Sequence, residues 1–292
     1  MATSYHESIL AEIMLSHSVH DICLIGPRGC GKSALVQRLA KVLGYDTEPI
    51  MMYQDMTARD LLQQRTTLPN GDTVWRFSPL VQAALEGKMA ILDGIHRMHA
   101  GTLAVLHRLI HERELQLYDG TRLLGGQRYE EAKKLQTDQE MEAKKILKIQ
   151  DSFRIVALAE PPSSSGKGQW LNTEVLSMFM FHEMRPLSSL EELHVVQSLT
   201  GQDKIPPALS SIMHLTEKLR QSEDVSLSTI ANSLSTRQLV RIARRLKRFP
   251  SEDIHELVHK ACLARFLPAL PREALETMLK DMSIEKSEDA TR

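Results

Sequence analysis

The run Gly26-Pro27-Arg28-Gly29-Cys30-Gly31-Lys32-Ser33 fits the spacing G-x-x-x-x-G-K-[ST]. Its chemistry is that of a phosphate cradle. Glycines let backbone N–H groups turn around an anion with no Cβ in the way. The helix expected to start at Lys32, Ser33 and Ala34 adds the positive end of its dipole. Lys32 suits the β- and γ-phosphates of a nucleotide, and the Ser33 hydroxyl suits magnesium. Further along, Met89-Ala90-Ile91-Leu92-Asp93 is an apolar run ending in a carboxylate. Open parallel sheets bind ligands beyond the carboxyl ends of their strands, so Asp93 falls where a magnesium acceptor is wanted, as partner to Ser33. The expected ligands are therefore ATP and Mg2+, with Ser33 and Asp93 on the metal side.

The elements that must place these residues can be read from periodicity. Ile22–Ile25 reads as a buried strand, and Leu35, Val36, Leu39, Val42 and Leu43 recur at helical spacing up to a capping Gly44. Ahead of them, residues 6–16 read as a helix, and 49–53 as a second strand. Thr57 opens a helix expected to run through Arg65. Asn70-Gly71 and Asp119-Gly120 are hairpin turns, with a helix expected over 101–112 between them. Pro79 starts a helix that ends at Gly87. Residues 127–150, dense in Glu, Lys and Gln, read as an exposed helical insertion. Phe153–Ala159 is a further buried strand, followed by the loop SSSGKGQ, a short helix and a last strand FMFHEM.

After Pro186 every periodic segment is helical: EELHVVQSL, opened by Ser188-x-x-Glu191 or Ser189-x-x-Glu192 as candidate capping boxes, then segments around 207–221, 226–233, 236–248, 252–266 and 271–282. The expected organisation is an α/β nucleotide-binding domain over residues 1–186, built on a doubly wound parallel sheet, and a small all-α lid domain over 187–292.

Charge excludes some functions. Against 36 basic residues stand 37 acidic ones, so no net field favours nucleic acid or an anionic membrane. The basic run Arg237–Arg248 lacks interleaved aromatics and reads as a solvated helix face. No run reaches the length of a membrane span. The first twenty residues carry no Lys or Arg, unlike a secretory signal or a transit peptide. Three cysteines, Cys23, Cys30 and Cys262, show no zinc or C-x-x-C spacing, which suits a reducing compartment. Cys30, beside a helix start, is a candidate for a lowered pKa. His107 and His111 share a helix face and are a candidate zinc pair, with surface histidines the simpler reading. Trp75 and Phe77 read as packing residues.

Taken together, the phosphate loop, the strand ending in Asp93, the two hairpins and the helical tail resemble an AAA+ ATPase of the dynein-related and MoxR-like branch, which includes midasin. The segment DLLQQRTTLPNGDTVWRFSPLVQAALEGKMAILDGIHR carries most of the likeness. The resemblance covers residues 8 to 283. It implies a P-loop NTPase fold, ATP binding and hydrolysis, and contact with other AAA modules or subunits in a ring. It also implies a mitochondrial setting; without it the default is cytoplasmic. Residue by residue it assigns Gly26 to Ala34 to the phosphate loop and Asp93 to the magnesium-side acid. It assigns Arg237, in Leu234-Ser235-Thr236-Arg237, to the sensor 2 position, which reaches the phosphates from the lid. Ser235-x-x-Gln238 is the expected capping box there.

Three departures from the family pattern concern hydrolysis. The water-activating Glu that usually follows the second-motif Asp is Gly94. The sensor 1 position, usually Asn, is Glu160. The arginine finger before the terminal Phe is Met178. Glu160 is the candidate substitute base, alongside Lys32 and Asp93 in the catalytic set, and Arg97 and Arg185 are finger candidates by position. The alternatives are a nucleotide-gated scaffold without turnover, which Gly94, Glu160 and Met178 favour, and a small-molecule kinase, which the hairpins disfavour.

Overall fold

The computed structural model describes residues 3–162, 170–201, 206–222, 227, 230, 231 and 233–284. The loop SSSGKGQ lies outside them, as does much of the helix expected over 226–233. The chain forms two compact units. One holds Ser8–Pro27 and Gly31–Met184. The other holds the chain from Arg185 onward, together with residues up to Glu7 and the loop tip Arg28–Cys30.

Among the described residues the first unit contains ten strands: β1 Ile22–Ile25, β2 Thr47–Met51, β3 Gln63–Thr67, β4 Thr73–Phe77, β5 Met89–Asp93, β6 Glu114–Gln116, β7 Arg122–Leu124, β8 Ile146–Lys148, β9 Arg154–Ala159 and β10 Met180–Glu183. Five of them form a parallel sheet in the order β10-β1-β9-β5-β2. This is the α/β architecture expected from the sequence. β1, β5 and β9 are apolar throughout their middles because strands inside a parallel sheet are covered on both faces. β2 carries Pro49, which has no N–H to give a ladder, and β2 lies at an edge, where that is tolerated. Leu24, Leu92, Ile155 and Ala157 are fully buried or nearly so in the core between the sheet and its helices.

Around the sheet, local structure departs from periodicity in three places. The helix that Thr57 opens ends at Leu62, and Gln63–Thr67 turns into β3, paired antiparallel with β4 across the Asn70-Gly71 turn. Hairpin pairing of the whole Gln63–Thr67 segment outweighs its helix-compatible residues. The helix expected over 101–112 is broken into Ala100–Leu103, a 3-10 turn Ala104–Leu106, and His107–His111. The segment 127–150 is helical over Gly126–Leu135 and Asp138–Ala143 but closes with β8, which pairs parallel to β7. Met141, Ile146 and Ile149 are buried there, so the segment is not solvated throughout.

One buried ion pair ties this unit together. Asp21, almost fully buried, receives Arg113 Nη1 at 2.6 Å and Nη2 at 2.9 Å, and accepts the Ile155 N–H at 2.9 Å. It fastens the start of β1 to the start of β9.

The second unit is helical, with Ser189–Thr200, Pro207–Gln221, Thr236–Arg248, Ile254–Cys262 and Ala269–Asp281 around a core of its own that includes Ile212, Leu215, Leu219, Leu239, Val258 and Leu275. Ser188 and Glu191 form a reciprocal capping box. Glu192 is buried and takes a two-point grip from Arg220 at 2.8 and 3.1 Å, and the Thr236 hydroxyl donates to it as well.

Candidate nucleotide site

Parallel register brings the site residues to one end of the sheet. Ile25 pairs with Ala159, and Asp93 with Leu158. Just beyond those pairs, the Gly26 N–H donates to Ala159 O at 3.2 Å, and the Gly94 N–H to Leu158 O at 2.9 Å. Gly26, Asp93, Gly94 and Glu160 therefore leave the sheet at the same edge, beyond the carboxyl ends of three adjacent strands.

The loop from Gly26 enters the helix Lys32–Leu43 through Gly29 and Gly31, whose φ values of 80° and 98° belong to the left-handed region that favours glycine. Gly31 caps the helix with no side chain, so the first N–H groups of that helix have no carbonyl or side-chain acceptor within it. Lys32 Nζ donates to Gly26 O at 2.6 Å and Pro27 O at 2.8 Å, which holds the ammonium over the first residues of the loop. The Ser33 hydroxyl donates to Asp93 Oδ2 at 3.5 Å. A hydroxyl and a carboxylate, both partly buried, form the hard oxygen donor set that suits Mg2+. Ser33 and Asp93, from separate stretches of the sequence, are thus brought together, with the Lys32 ammonium held over the loop before them.

Glu160 has a partner that the sequence reading passed over. The Glu160 N–H donates to His96 Nδ1 at 3.2 Å, while His96 Nε2 lies 3.4 Å from Glu160 Oε1. A ring that accepts at Nδ1 carries its proton on Nε2 when neutral, so His96 points an N–H at the carboxylate. The signal in the sequence is the spacing Asp93-x-x-His96, readable only once β5 and β9 are known to be neighbours.

The departures from the family pattern take physical form. Gly94 has φ 94°, and a Cβ there would stand 3.1 Å from Arg97 Cζ. The backbone itself, not only the missing side chain, departs from what a Glu would adopt. Met178 is buried in the sheet core. Arg97 is exposed and donates to Met52 O at 3.4 Å. Arg185, the other finger candidate, makes a bidentate pair with Glu191 at 2.7 and 2.8 Å and lies 3.9 Å from the centre of the Tyr5 ring.

Within the helical unit, Arg237 is exposed in the first turn of Thr236–Arg248. The expected capping box does not form: Ser235 is the cap residue but its side chain makes no cap bond. Thr236 instead anchors the helix start to the buried Glu192. The loop tip belongs to this same unit, and a Cβ on Gly29 would lie 2.8 Å from Ser235 Cβ and 3.6 Å from the Thr236 nitrogen.

The cysteines are buried. Burial pushes the Cys23 thiol upward and raises that of Cys262 to about 11. His107 and His111 lie with ring centres 4.3 Å apart, and burial together with the neighbouring His107 and His20 lowers the pKa of His111.

The family model for the AAA domain of the dynein-related subfamily matches residues 21–179. Von Willebrand factor A domain-containing protein 8 of Mus musculus is 56% identical over 286 residues, which is 97% of this chain and 15% of that protein. Protein NorQ of Paracoccus denitrificans is 35% identical over 100 residues, 34% of this chain and 37% of that protein. The chain thus aligns with well under half the length of either relative. Among solved structures, NtrX from Brucella abortus in complex with ADP matches in fold with a TM-score of 0.54 at 13% identity, covering 98% of this chain and 67% of that one. Among the described residues no helix is long and apolar enough to cross a membrane. By the family match over residues 21–179, more than half of its length, this chain belongs to the dynein-related subfamily of AAA domains.

Proposed function

We propose that this chain is a Mg-ATP-binding AAA+ module that hydrolyses ATP within a ring or multi-module assembly. The observation that carries the reading is the meeting of Ser33 and Asp93 beyond the carboxyl ends of β1 and β5, the two strands that flank β9, with Lys32 held over the loop between β1 and its helix. Lys32 would exchange its two loop carbonyls for phosphate oxygens. The loop N–H groups and the open helix start would hold the remaining phosphate charge. Mg2+, when bound, neutralises charge between phosphates, with Ser33 and Asp93 as its protein ligands. Glu160 would orient and deprotonate water, with His96 fixing its backbone N–H through Nδ1 and facing its carboxylate with Nε2. Arg237 would reach the phosphates from the helical unit acting as a lid, at a helix start where a cation otherwise opposes the dipole. The mitochondrial setting belongs to the same proposal, and cell fractionation tests it.

A second reading has its own support. Gly94 in the left-handed region, Met178 in the core and Arg185 engaged by Glu191 leave the usual hydrolytic residues unreplaced, which favours a nucleotide-gated scaffold. Binding without turnover stabilises an assembly through linkage. Nucleotide affinity and steady-state phosphate release, measured on wild type and Lys32→Ala, separate the readings. Loss of the charge-assisted contacts should weaken ATP binding about ten- to a hundredfold in Lys32→Ala. Unchanged affinity there removes the phosphate-loop assignment, and ATP binding with phosphate release at background leaves the scaffold.

A further inference from the structure

The helical unit contains a cluster that the nucleotide reading does not use. His255 and His259 stand at i and i+4 on the helix Ile254–Cys262, so they share one face. Their rings stack with centroids 4.3 Å apart and an interplanar angle of 24°. Opposite them, Glu276 comes from the middle of the helix Ala269–Asp281. His255 Nε2 lies 3.1 Å from Glu276 Oε2, and His259 Nε2 lies 2.9 Å from Glu276 Oε1. One donor atom from each of the three residues falls within 4.8 Å of the other two.

We propose that His255, His259 and Glu276 bind a divalent transition-metal cation of the zinc type. Two imidazole nitrogens and one carboxylate are a borderline-soft donor set, suited to zinc and poorly suited to magnesium or calcium. The spacing agrees: donors about 2.05 Å from a tetrahedral ion stand roughly 3.3 Å from one another. The two imidazole nitrogens lie 3.1 and 2.9 Å from different oxygens of Glu276, and one donor atom from each residue falls within 4.8 Å of the others, so side-chain rotation brings the three to that spacing. His259 Nε2 is buried and, despite its short distance to Glu276, makes no aligned hydrogen bond among the described residues. A metal ion at the centre of the three residues would satisfy that nitrogen where a proton shared along a misaligned contact does not.

The ion has a route in and an open coordination position. All three residues line a groove of about 990 Å³ that also includes Leu263 and Phe266. Three protein ligands leave the fourth tetrahedral position to water or to a group from outside. Lys260 does not compete for Glu276, because its ammonium pairs with Glu256 at 3.0 Å. Arg272 and Lys280 on the groove wall work against a cation, so the expected affinity is micromolar, not the far tighter binding of a four-ligand structural site. Two helices on either side of the Leu263 turn are cross-linked by the ion, so binding also stabilises this unit.

The test uses the full chain without a polyhistidine tag, titrated with zinc chloride against a chromophoric chelator. Cobalt(II) is added in parallel for its visible absorption. One equivalent of zinc with a micromolar Kd, an intense tetrahedral cobalt band, and a rise in Tm with zinc are expected. His259→Gln and Glu276→Gln should each weaken binding at least about tenfold and abolish the cobalt band, while His111→Gln changes neither. Circular dichroism of each variant checks that the helices persist. The proposal is overturned if wild type binds no zinc at tens of micromolar, if both variants bind as wild type does, or if cobalt gives only a weak octahedral spectrum. Loss of binding in His111→Gln with none in Glu276→Gln would move the site elsewhere and equally overturn it. None of these outcomes depends on nucleotide binding.

Discussion

His96 holds Glu160 from two sides of one ring, accepting the Glu160 N–H at Nδ1 and facing its carboxylate with Nε2. These residues follow β5 and β9, neighbouring strands of the sheet. A carboxylate held in this way can take over a role that Gly94 cannot perform.

If Glu160 is the base, Glu160→Gln should lower steady-state phosphate release roughly a hundredfold or more with ATP affinity unchanged. His96→Ala should lower the rate less, because the ring positions the carboxylate and does not itself take the proton. An unchanged rate in Glu160→Gln rules the base role out.

Restoring the family glutamate should not restore turnover. At φ 94° a side chain at position 94 costs about 1–2 kcal/mol, and Arg97 must also move aside. Gly94→Glu should therefore lower Tm by roughly 2–8 °C and leave phosphate release no faster. A rate gain at wild-type Tm would show that the backbone at this position adapts.

The pair between Asp21 and Arg113 predicts a stability effect remote from the site. Asp21→Ala leaves the Ile155 N–H without its acceptor and the Arg113 guanidinium without its counter-charge, with only Leu109 O and Ile110 O still accepting from it, a loss of about 3–5 kcal/mol. Urea unfolding followed by circular dichroism should show a midpoint well below that of wild type. A change under about 1 kcal/mol would mean that water replaces the carboxylate.

Glu191 gives a pH prediction. Its bonds from Arg185 and from the Ser188 cap hold its pKa at about 2, below its usual 4.5. A depressed carboxyl contributes stability above its unfolded pKa and loses it as pH falls through the folded one. Wild type should thus lose this contribution between about pH 4.5 and 2. Glu191→Gln should be less stable than wild type at neutral pH, with the difference shrinking across that window. Parallel stability curves would show that the pair contributes nothing.

The sequence by itself determined the glycine loop between strand and helix, the apolar strands and the helical tail. Glycine spacing, continuous apolar runs and helical periodicity are local properties of the chain, and Lys32, Ser33 and Asp93 could be named from them. Local pattern failed where pairing decided the outcome. Gln63–Thr67 and Ile146–Lys148 are strands because partners lie beside them, and no residue within either segment announces it. Only tertiary structure joined His96 to Glu160, seated Arg97 over Gly94, and set Glu276 against His255 and His259. Each of these depends on which strands or helices are neighbours. Neighbours are chosen by burial of the whole apolar surface, a sum over the chain that no short window contains.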